Sequence, residues 1–188
     1  MKSVLIFCGA NKGTNPIYEQ GAREMATLLA KRNIDIITGG GSIGLMGAVA
    51  DAALAAGGKV TGIIPAFLNE MEVGHSGLSK MIIVQTMHER KQLMHDQCDS
   101  IIALPGGFGT LDELFEALTW AQLEQHAKPI GILNTGKYYE HLLRFVEHMC
   151  DEGLLKTHYQ DLFLSAEDPD TLIEMMQNYV PPTTTQVY

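Results

Sequence analysis

The chain has 188 residues and a formal net charge of −9, and 46% of its residues are hydrophobic. This length predicts one domain with a substantial core, and the acidic balance argues against general nucleic-acid binding, which needs a basic face. The three cysteines are widely spaced, so we expect no disulfide framework and no cysteine-based zinc site, but a cytoplasmic protein. No apolar run approaches the ~20 residues of a membrane helix, and the run at residues 4–8 is too short for a signal sequence.

Short apolar runs alternate along the chain with longer segments of helical periodicity. The runs predict strands at residues 3–8, 34–38, 59–64, 81–85, 100–104, 129–133 and 162–165. The periodic segments predict helices at residues 16–32, 45–56, 86–97, 111–124, 138–150 and 169–179. Because the strands are apolar throughout, they should be covered on both faces, and their alternation with helices predicts an α/β fold with a doubly wound parallel sheet. We expect a single domain over residues 1–180 and a loose tail over residues 181–188.

Three glycine-rich turns follow predicted strands, and therefore lie at the carboxyl edge of the sheet, where ligands bind in such folds. They are CGANKG at residues 8–13, GGGSIGLMG at 39–47 and ALPGGFGTLDE at 103–113. The second contains G-x-G-x-x-G, but the next strand does not end in the acid that a dinucleotide site requires, and no P-loop motif is present. Its glycines are explained equally well by close helix–strand packing and by direct ligand contact.

The third turn is the strongest candidate for an anion site. Gly106, Gly107 and Gly109 allow a ligand to approach the backbone, and the N–H groups that open the following helix suit a phosphate. A competing interpretation is purely structural. Thr110 and Glu113 match the T-x-x-E capping box, with Thr110 as N-cap and Glu113 at the third helical position.

A second polar motif, MHERK at residues 87–91, places Arg90 and Lys91 just after a strand at the same edge. An arginine there can grip a phosphate or orient a carboxylate, although an adjacent pair of basic residues is more often a solvated helical face. Glu72 precedes this motif and could be an ordinary loop acid. The histidines show no compelling spacing for a metal site.

Together GGGSIGLMG, MHERK, PGGFGTLDE and TWAQLEQHAKPIGILN resemble the LOG (LONELY GUY) family of cytokinin riboside 5′-monophosphate phosphoribohydrolases, whose members have often been mislabelled lysine decarboxylases. The resemblance covers about residues 7–165. It implies a Rossmann-like nucleotide-binding domain, a homodimer with sites near the interface, and hydrolysis of the N-glycosidic bond of a nucleoside 5′-monophosphate to free base and ribose 5-phosphate. It implies no metal and no organic cofactor.

The resemblance also implies the site residues. Arg90 and Glu113 match the catalytic pair of the family. The implied substrate-binding residues are these two together with Glu72, Lys91, Gly107, Phe108, Gly109, Thr110, Leu111, Asp112 and Thr119. One departure concerns the first turn, where Ala10 replaces a serine found in many members and removes a hydroxyl. Thr38 stands where a tyrosine is frequent.

The implied chemistry is physically reasonable, because cleavage of a ribosyl–base bond develops positive charge on the ribose. A carboxylate at Glu113 would stabilise that charge or activate water, and an anchored phosphate would position the sugar. Two other functions remain open: a non-catalytic carrier of a nucleotide or molybdenum cofactor, and a pyridoxal-phosphate decarboxylase with Lys91 as the Schiff-base lysine. The preferred base, adenine or an N6-modified adenine, is undecided by the sequence.

Overall fold

The computed structural model describes residues 1–71 and 74–182. Its strands are β1 (Ser3–Phe7), β2 (Asp35–Thr38), β3 (Val60–Pro65), β4 (Lys80–Val84), β5 (Ser100–Ala103), β6 (Ile130–Leu133) and β7 (Phe163–Ala166). They form one sheet in the order β4-β3-β2-β1-β5-β6-β7, and every neighbouring pair is parallel. The predicted parallel sheet is therefore confirmed.

The helices are α1 (Ile17–Lys31), α2 (Gly44–Ala55), α3 (Ala66–Met71), α4 (Met87–Gln97), α5 (Phe108–Gln122), α6 (Glu140–Asp151) and α7 (Pro169–Gln177). Two short 3-10 segments lie at Thr135–Lys137 and Thr157–Leu162. Among residues 1–71 and 74–182, no helix is both long enough and apolar enough to cross a membrane. Of the predicted tail, residues 183–188 lie outside the described residues.

The core lies on both faces of the sheet because successive side chains of each strand point in opposite directions. In β1, Val4 and Ile6 pack with helices α1, α2 and α7, whereas Leu5 and Phe7 pack with α4 and α5. All four side chains are buried. The fold is thus the doubly wound, Rossmann-like arrangement, with helices on both faces.

The start of α5 corrects the sequence prediction, because the helix begins at Phe108 and not at residue 111. Its N-cap is Gly107, which has no side chain to cap the helix, and Thr110 is already in the first turn. The competing interpretation, in which Thr110 and Glu113 form a capping box, is therefore contradicted. A capping arrangement with this spacing occurs instead at α4, where the Glu89 amide donates to the Thr86 hydroxyl at 3.1 Å.

The strand order reverses between β1 and β5, and this reversal positions the site. From β1 the chain proceeds through β2, β3 and β4 toward one edge, and from β5 through β6 and β7 toward the other. A crevice opens at the carboxyl ends of the strands at such a switch point. The turns meet there, since the Gly9 amide donates to the Pro105 carbonyl at 3.0 Å and the Leu45 amide donates to the Gly9 carbonyl at 3.0 Å.

Candidate active site

A cavity of about 470 Å³ occupies this crevice, within the usual size range of small-molecule sites. Residues 8–13 of the first turn and residues 105–110 of the third turn form much of its wall. Leu45 and Met46 contribute from the second turn, and Arg90 and Glu113 also face it. The two residues predicted as a catalytic pair therefore line one cavity.

The third turn presents backbone donors to the cavity. Helix geometry leaves the first amides of α5 without intrahelical carbonyl partners, and the helix dipole adds positive potential there. A Cβ built on Gly107 or Gly109 meets no atom within 4 Å, so both residues border open space. Gly106 differs, because a Cβ there would overlap the buried Thr110 hydroxyl and lie 2.9 Å from the Gly9 amide nitrogen. Gly106 thus serves turn packing, while the other two leave room for a ligand.

Arg90 is held rigidly although it is charged, and only 8% of it is exposed. It follows the capped first turn of α4, and its Nε donates to the Ile63 carbonyl at 3.1 Å. A Cβ on Gly39 would overlap the Arg90 Nη2 atom. The second glycine turn therefore makes room for the guanidinium, which fixes one positive charge at the cavity wall.

Glu113 is half-buried in the same wall of the cavity, where burial and nearby positive charges have opposite effects on its pKa. Burial raises its pKa from 4.5 to about 7, against the opposing charges of Arg90 and then Lys91. Asp112 and Glu116 add smaller upward contributions to the pKa. A carboxyl group with such a pKa exchanges a proton readily at neutral pH, as acid–base catalysis requires.

The glycines of the second turn are explained by packing. A Cβ on Gly44, whose φ is +64°, would overlap the Ala10 backbone, and one on Gly47 would overlap the Ser42 carbonyl. Together with the space that Gly39 leaves for Arg90, these contacts favour packing over direct ligand contact for this segment. The glycines of the G-x-G-x-x-G pattern therefore support the cavity wall through close packing.

Lys91 does not line the cavity, unlike its neighbour Arg90. Its Nζ lies 2.7 Å from Asp112 Oδ2 and 3.4 Å from Glu116 Oε2. Burial alone would lower the pKa of Lys91, but hydrogen bonding and charge from Asp112 and Glu116 outweigh it and raise the pKa. Lys91 and Asp112 thus bind each other beside the site and orient the face of α5 that carries Glu113.

The remaining predicted residues occupy different places. Phe108 lines the cavity and is 95% exposed, whereas Leu111 packs against the core. Thr119 lies two turns farther along α5, exposed and outside the cavity wall, with its hydroxyl donating to the Phe115 carbonyl at 2.7 Å. Glu72 lies outside the described residues.

The cavity is also lined by side chains that were not predicted as site residues, among them Cys8, Lys12, Tyr18 and Tyr138. The first two belong to a turn that the sequence marks by its glycines. The Tyr138 hydroxyl donates to the Gly106 carbonyl at 2.6 Å, and its ring meets that of Tyr18 edge-to-face at 5.3 Å. No local sequence signal links these distant tyrosines. Burial, and secondarily the Glu113 charge, raises the pKa of the Cys8 thiol to about 12, so Cys8 is neutral here.

Comparison with known proteins identifies the family. A family model described as "Possible lysine decarboxylase" matches residues 46–176. The cytokinin riboside 5′-monophosphate phosphoribohydrolase LOG2 of Arabidopsis thaliana is 41% identical over 180 residues, which are 96% of this chain and 84% of the relative. The chain belongs to the LOG family. LOG5 of the same plant is 43% identical over 96% of this chain and 79% of its own length.

Among solved structures, the molybdenum cofactor binding protein of Rippkaea orientalis aligns with a TM-score of 0.71 and 23% identity, covering 95% of this chain and 97% of that one. At this identity the likeness shows the shared fold alone. Within residues 1–71 and 74–182, no group of three or more His, Cys, Asp or Glu side chains is arranged to hold a metal ion.

Proposed function

We propose that the protein hydrolyses the N-glycosidic bond of adenosine 5′-monophosphate or an N6-modified form of it, releasing the free base and ribose 5-phosphate. The observation that carries the proposal is the pairing, in one cavity, of a half-buried Glu113 with a fixed Arg90 beside an open row of helix-start amides. Relatives at 41% and 43% identity carry the name of this activity.

In the proposed reaction the amides of Gly107 to Thr110 bind the 5′-phosphate, because a helix start favours anions. The phosphate then fixes the ribose against Glu113. As the bond from C1′ to the base nitrogen breaks, positive charge develops on the ribose, and the Glu113 carboxylate stabilises it. A water molecule forms the new bond to C1′ and gives one proton to Glu113, while the electron pair of the broken bond leaves with the base. Glu113 then passes this proton to the base nitrogen, so that the free base is released neutral and Glu113 returns to a carboxylate.

Arg90 has two uses in this scheme. Its charge favours the ionised form of Glu113, since it opposes the effect of burial on the Glu113 pKa. Its Nε is engaged with the Ile63 carbonyl and its Nη1 with the Met87 sulfur at 3.8 Å, so Nη2 is the atom that can donate to a ribose hydroxyl. The carboxylate and the fixed cation make this a catalytic arrangement, whereas a carrier protein needs only the phosphate-binding amides.

A pyridoxal-phosphate decarboxylase is not supported, because a Schiff-base lysine must lose its proton to attack a carbonyl. Lys91 is held in its charged form by Asp112 and Glu116, and it lies outside the cavity wall. This supports the hydrolase over the activity in the description of the family model.

We also propose that the protein acts in the cytoplasm as a homodimer with its sites near the interface, and that it binds no nucleic acid. Support for the dimer comes from large apolar side chains exposed on and near α5: Phe108 is 95% exposed and Leu123 is 40% exposed. Thr119 is exposed on the same helix. A second copy against this helix would bring Thr119, implied as a substrate contact, closer to a cavity.

The test is incubation of purified protein with a panel of nucleoside 5′-monophosphates, including AMP and N6-isopentenyl-AMP, with chromatography of the bases released. We expect free base and equimolar ribose 5-phosphate without added cofactor. Tight binding of a nucleotide with full retention of its glycosidic bond would favour a carrier protein instead.

A further inference from the structure

Two basic side chains, Arg90 and Lys12, are among the described residues that line the cavity. Arg90 is buried and tied to the Ile63 carbonyl. The Lys12 side chain is 56% exposed and is carried by the first turn, immediately before Gly13, whose φ is +78°. The Lys12 side chain therefore has room to change partners, whereas the Arg90 side chain is enclosed.

The partner of Lys12 is already neutralised by another residue. Lys12 Nζ lies 3.0 Å from Glu19 Oε1, and the same oxygen accepts from Arg23 Nε at 3.0 Å and Arg23 Nη2 at 2.8 Å. Two cations against one carboxylate leave this group with a net charge of +1. If Lys12 departs, Arg23 still holds Glu19 through two hydrogen bonds, and an ion pair as exposed as Lys12–Glu19 contributes little.

The first turn is joined directly to the phosphate-binding turn. The Gly9 amide donates to the Pro105 carbonyl at 3.0 Å, and Gly9 stands three residues before Lys12. Ala10, in between, has no hydroxyl to offer a ligand. A cation from this turn can therefore supplement the amides of α5 in the same cavity.

We propose that Lys12 binds the 5′-phosphate of the substrate, exchanging Glu19 for the phosphate when a nucleotide enters, and thereby determines the preference for phosphorylated substrates. The inference rests on the proposed function for the identity of the ligand. A phosphate monoester carries a charge of about −1.5 to −2 at neutral pH, and charge-assisted bonds to it in a half-enclosed cavity outcompete an exposed pair with a carboxylate.

The experiment measures binding of ribose 5-phosphate by calorimetry and kcat and KM for AMP, on Lys12→Met, Lys12→Arg and Glu19→Gln variants. Lys59→Met is the matched control, because it removes the same charge from an exposed lysine just before β3, at the opposite edge of the sheet. We expect Lys12→Met to weaken ribose 5-phosphate binding and raise KM for AMP by about tenfold or more, with kcat within about threefold of wild type. Lys12→Arg should restore most of the affinity, and Lys59→Met should change neither.

Glu19→Gln should tighten ribose 5-phosphate binding, because Lys12 loses its competing partner, whereas unchanged or weaker binding would contradict the exchange. Equal affinity of wild type and Lys12→Met for ribose 5-phosphate would overturn the role of Lys12. Binding of the unphosphorylated sugar, ribose, should not depend on Lys12. If wild type binds ribose 5-phosphate through Lys12 but hydrolyses no nucleotide, the proposed function fails while this inference stands, so the two failures are distinct.

Discussion

Replacing Glu113 by glutamine should stabilise the protein at alkaline pH while abolishing most of its activity. Burial raises the pKa of Glu113 to about 7 in the folded protein, against an ordinary value of 4.5. Because the folded-state pKa is raised, the stability linked to this group is fully present below pH ~4.5 and is lost as the pH rises through ~7. The difference of about 2.5 units corresponds to roughly 3 kcal/mol at 1.36 kcal/mol per unit.

The glutamine variant is neutral at every pH and keeps the shape of the side chain. Above pH ~8 it should therefore exceed wild type in free energy of unfolding by up to about 3 kcal/mol, and near pH ~5 the difference should shrink toward zero. At about 2–4 °C per kcal/mol for a chain of this size, the melting temperature should rise by up to about 6–12 °C at alkaline pH.

Activity should move in the opposite direction. Without the carboxylate, kcat for AMP should fall by about 100-fold or more, about 2.7 kcal/mol of barrier, while ribose 5-phosphate binding persists. In wild type, kcat/KM for AMP should rise with pH through about 7 as Glu113 ionises. This limb should be missing from the residual activity of the variant.

The assays are urea unfolding at pH 5 and pH 8.5, and AMP turnover on the same preparations. The control is Glu147→Gln, an exposed glutamate on α6, which should leave both quantities nearly unchanged. A variant that is no more stable than wild type at pH 8.5, or whose stability difference is the same at both pH values, would refute the burial argument. Near-wild-type kcat would refute the catalytic one.

Two further predictions concern phosphate binding at the start of α5 and the position of the Arg90 side chain. Adenosine should have a kcat/KM at least about tenfold below that of AMP, because it leaves the α5 amides without their anion. A coupled assay for free adenine measures kcat/KM for both substrates, and equal values would contradict phosphate binding by these amides. Gly39→Ala should displace the Arg90 guanidinium, since the added Cβ overlaps Nη2, and should lower kcat for AMP by about tenfold or more. Unchanged kcat in a folded Gly39→Ala protein would show that the position of Arg90 is not critical.

Hydrophobic patterning predicted the sheet and most of the helices. Each of the seven predicted strands is present, because a buried parallel strand is apolar along its whole length and is bounded by polar turns. The short helix α3 (Ala66–Met71) was not predicted, since six residues are too few to display helical periodicity. The strand pairing order could be inferred only in outline, because sequence patterns do not say which edge a strand joins.

The site was predicted unevenly, and the reasons are tertiary. Arg90 and Glu113 sit in motifs with clear local signals, and both line the cavity. Lys91 was expected beside Arg90 in the site, but successive helical residues point about 100° apart, and Lys91 turns toward Asp112 and Glu116. Tyr138 reaches the third glycine-rich turn only because of the way the β6–α6 connection folds. The sequence near Tyr138 therefore gives no signal that it belongs to the site.

The position at which α5 begins decides what Glu113 can do. Glycines at 107 and 109 are poor helix formers, so the sequence favoured a later start with Thr110 as cap, which would have tied Glu113 to the helix end. The structure starts the helix earlier, at Phe108, and Gly106 packs on Thr110 and on the first turn. Thr110 is then buried inside the helix, and the T-x-x-E spacing is left without a capping role. Glu113, one turn farther on, faces the cavity and does not cap the helix with its carboxyl group. Burial raises the pKa of this group to about 7. The same three-residue shift thus leaves the α5 amides open to an anion and places beside them an acid that can gain and lose a proton near neutral pH.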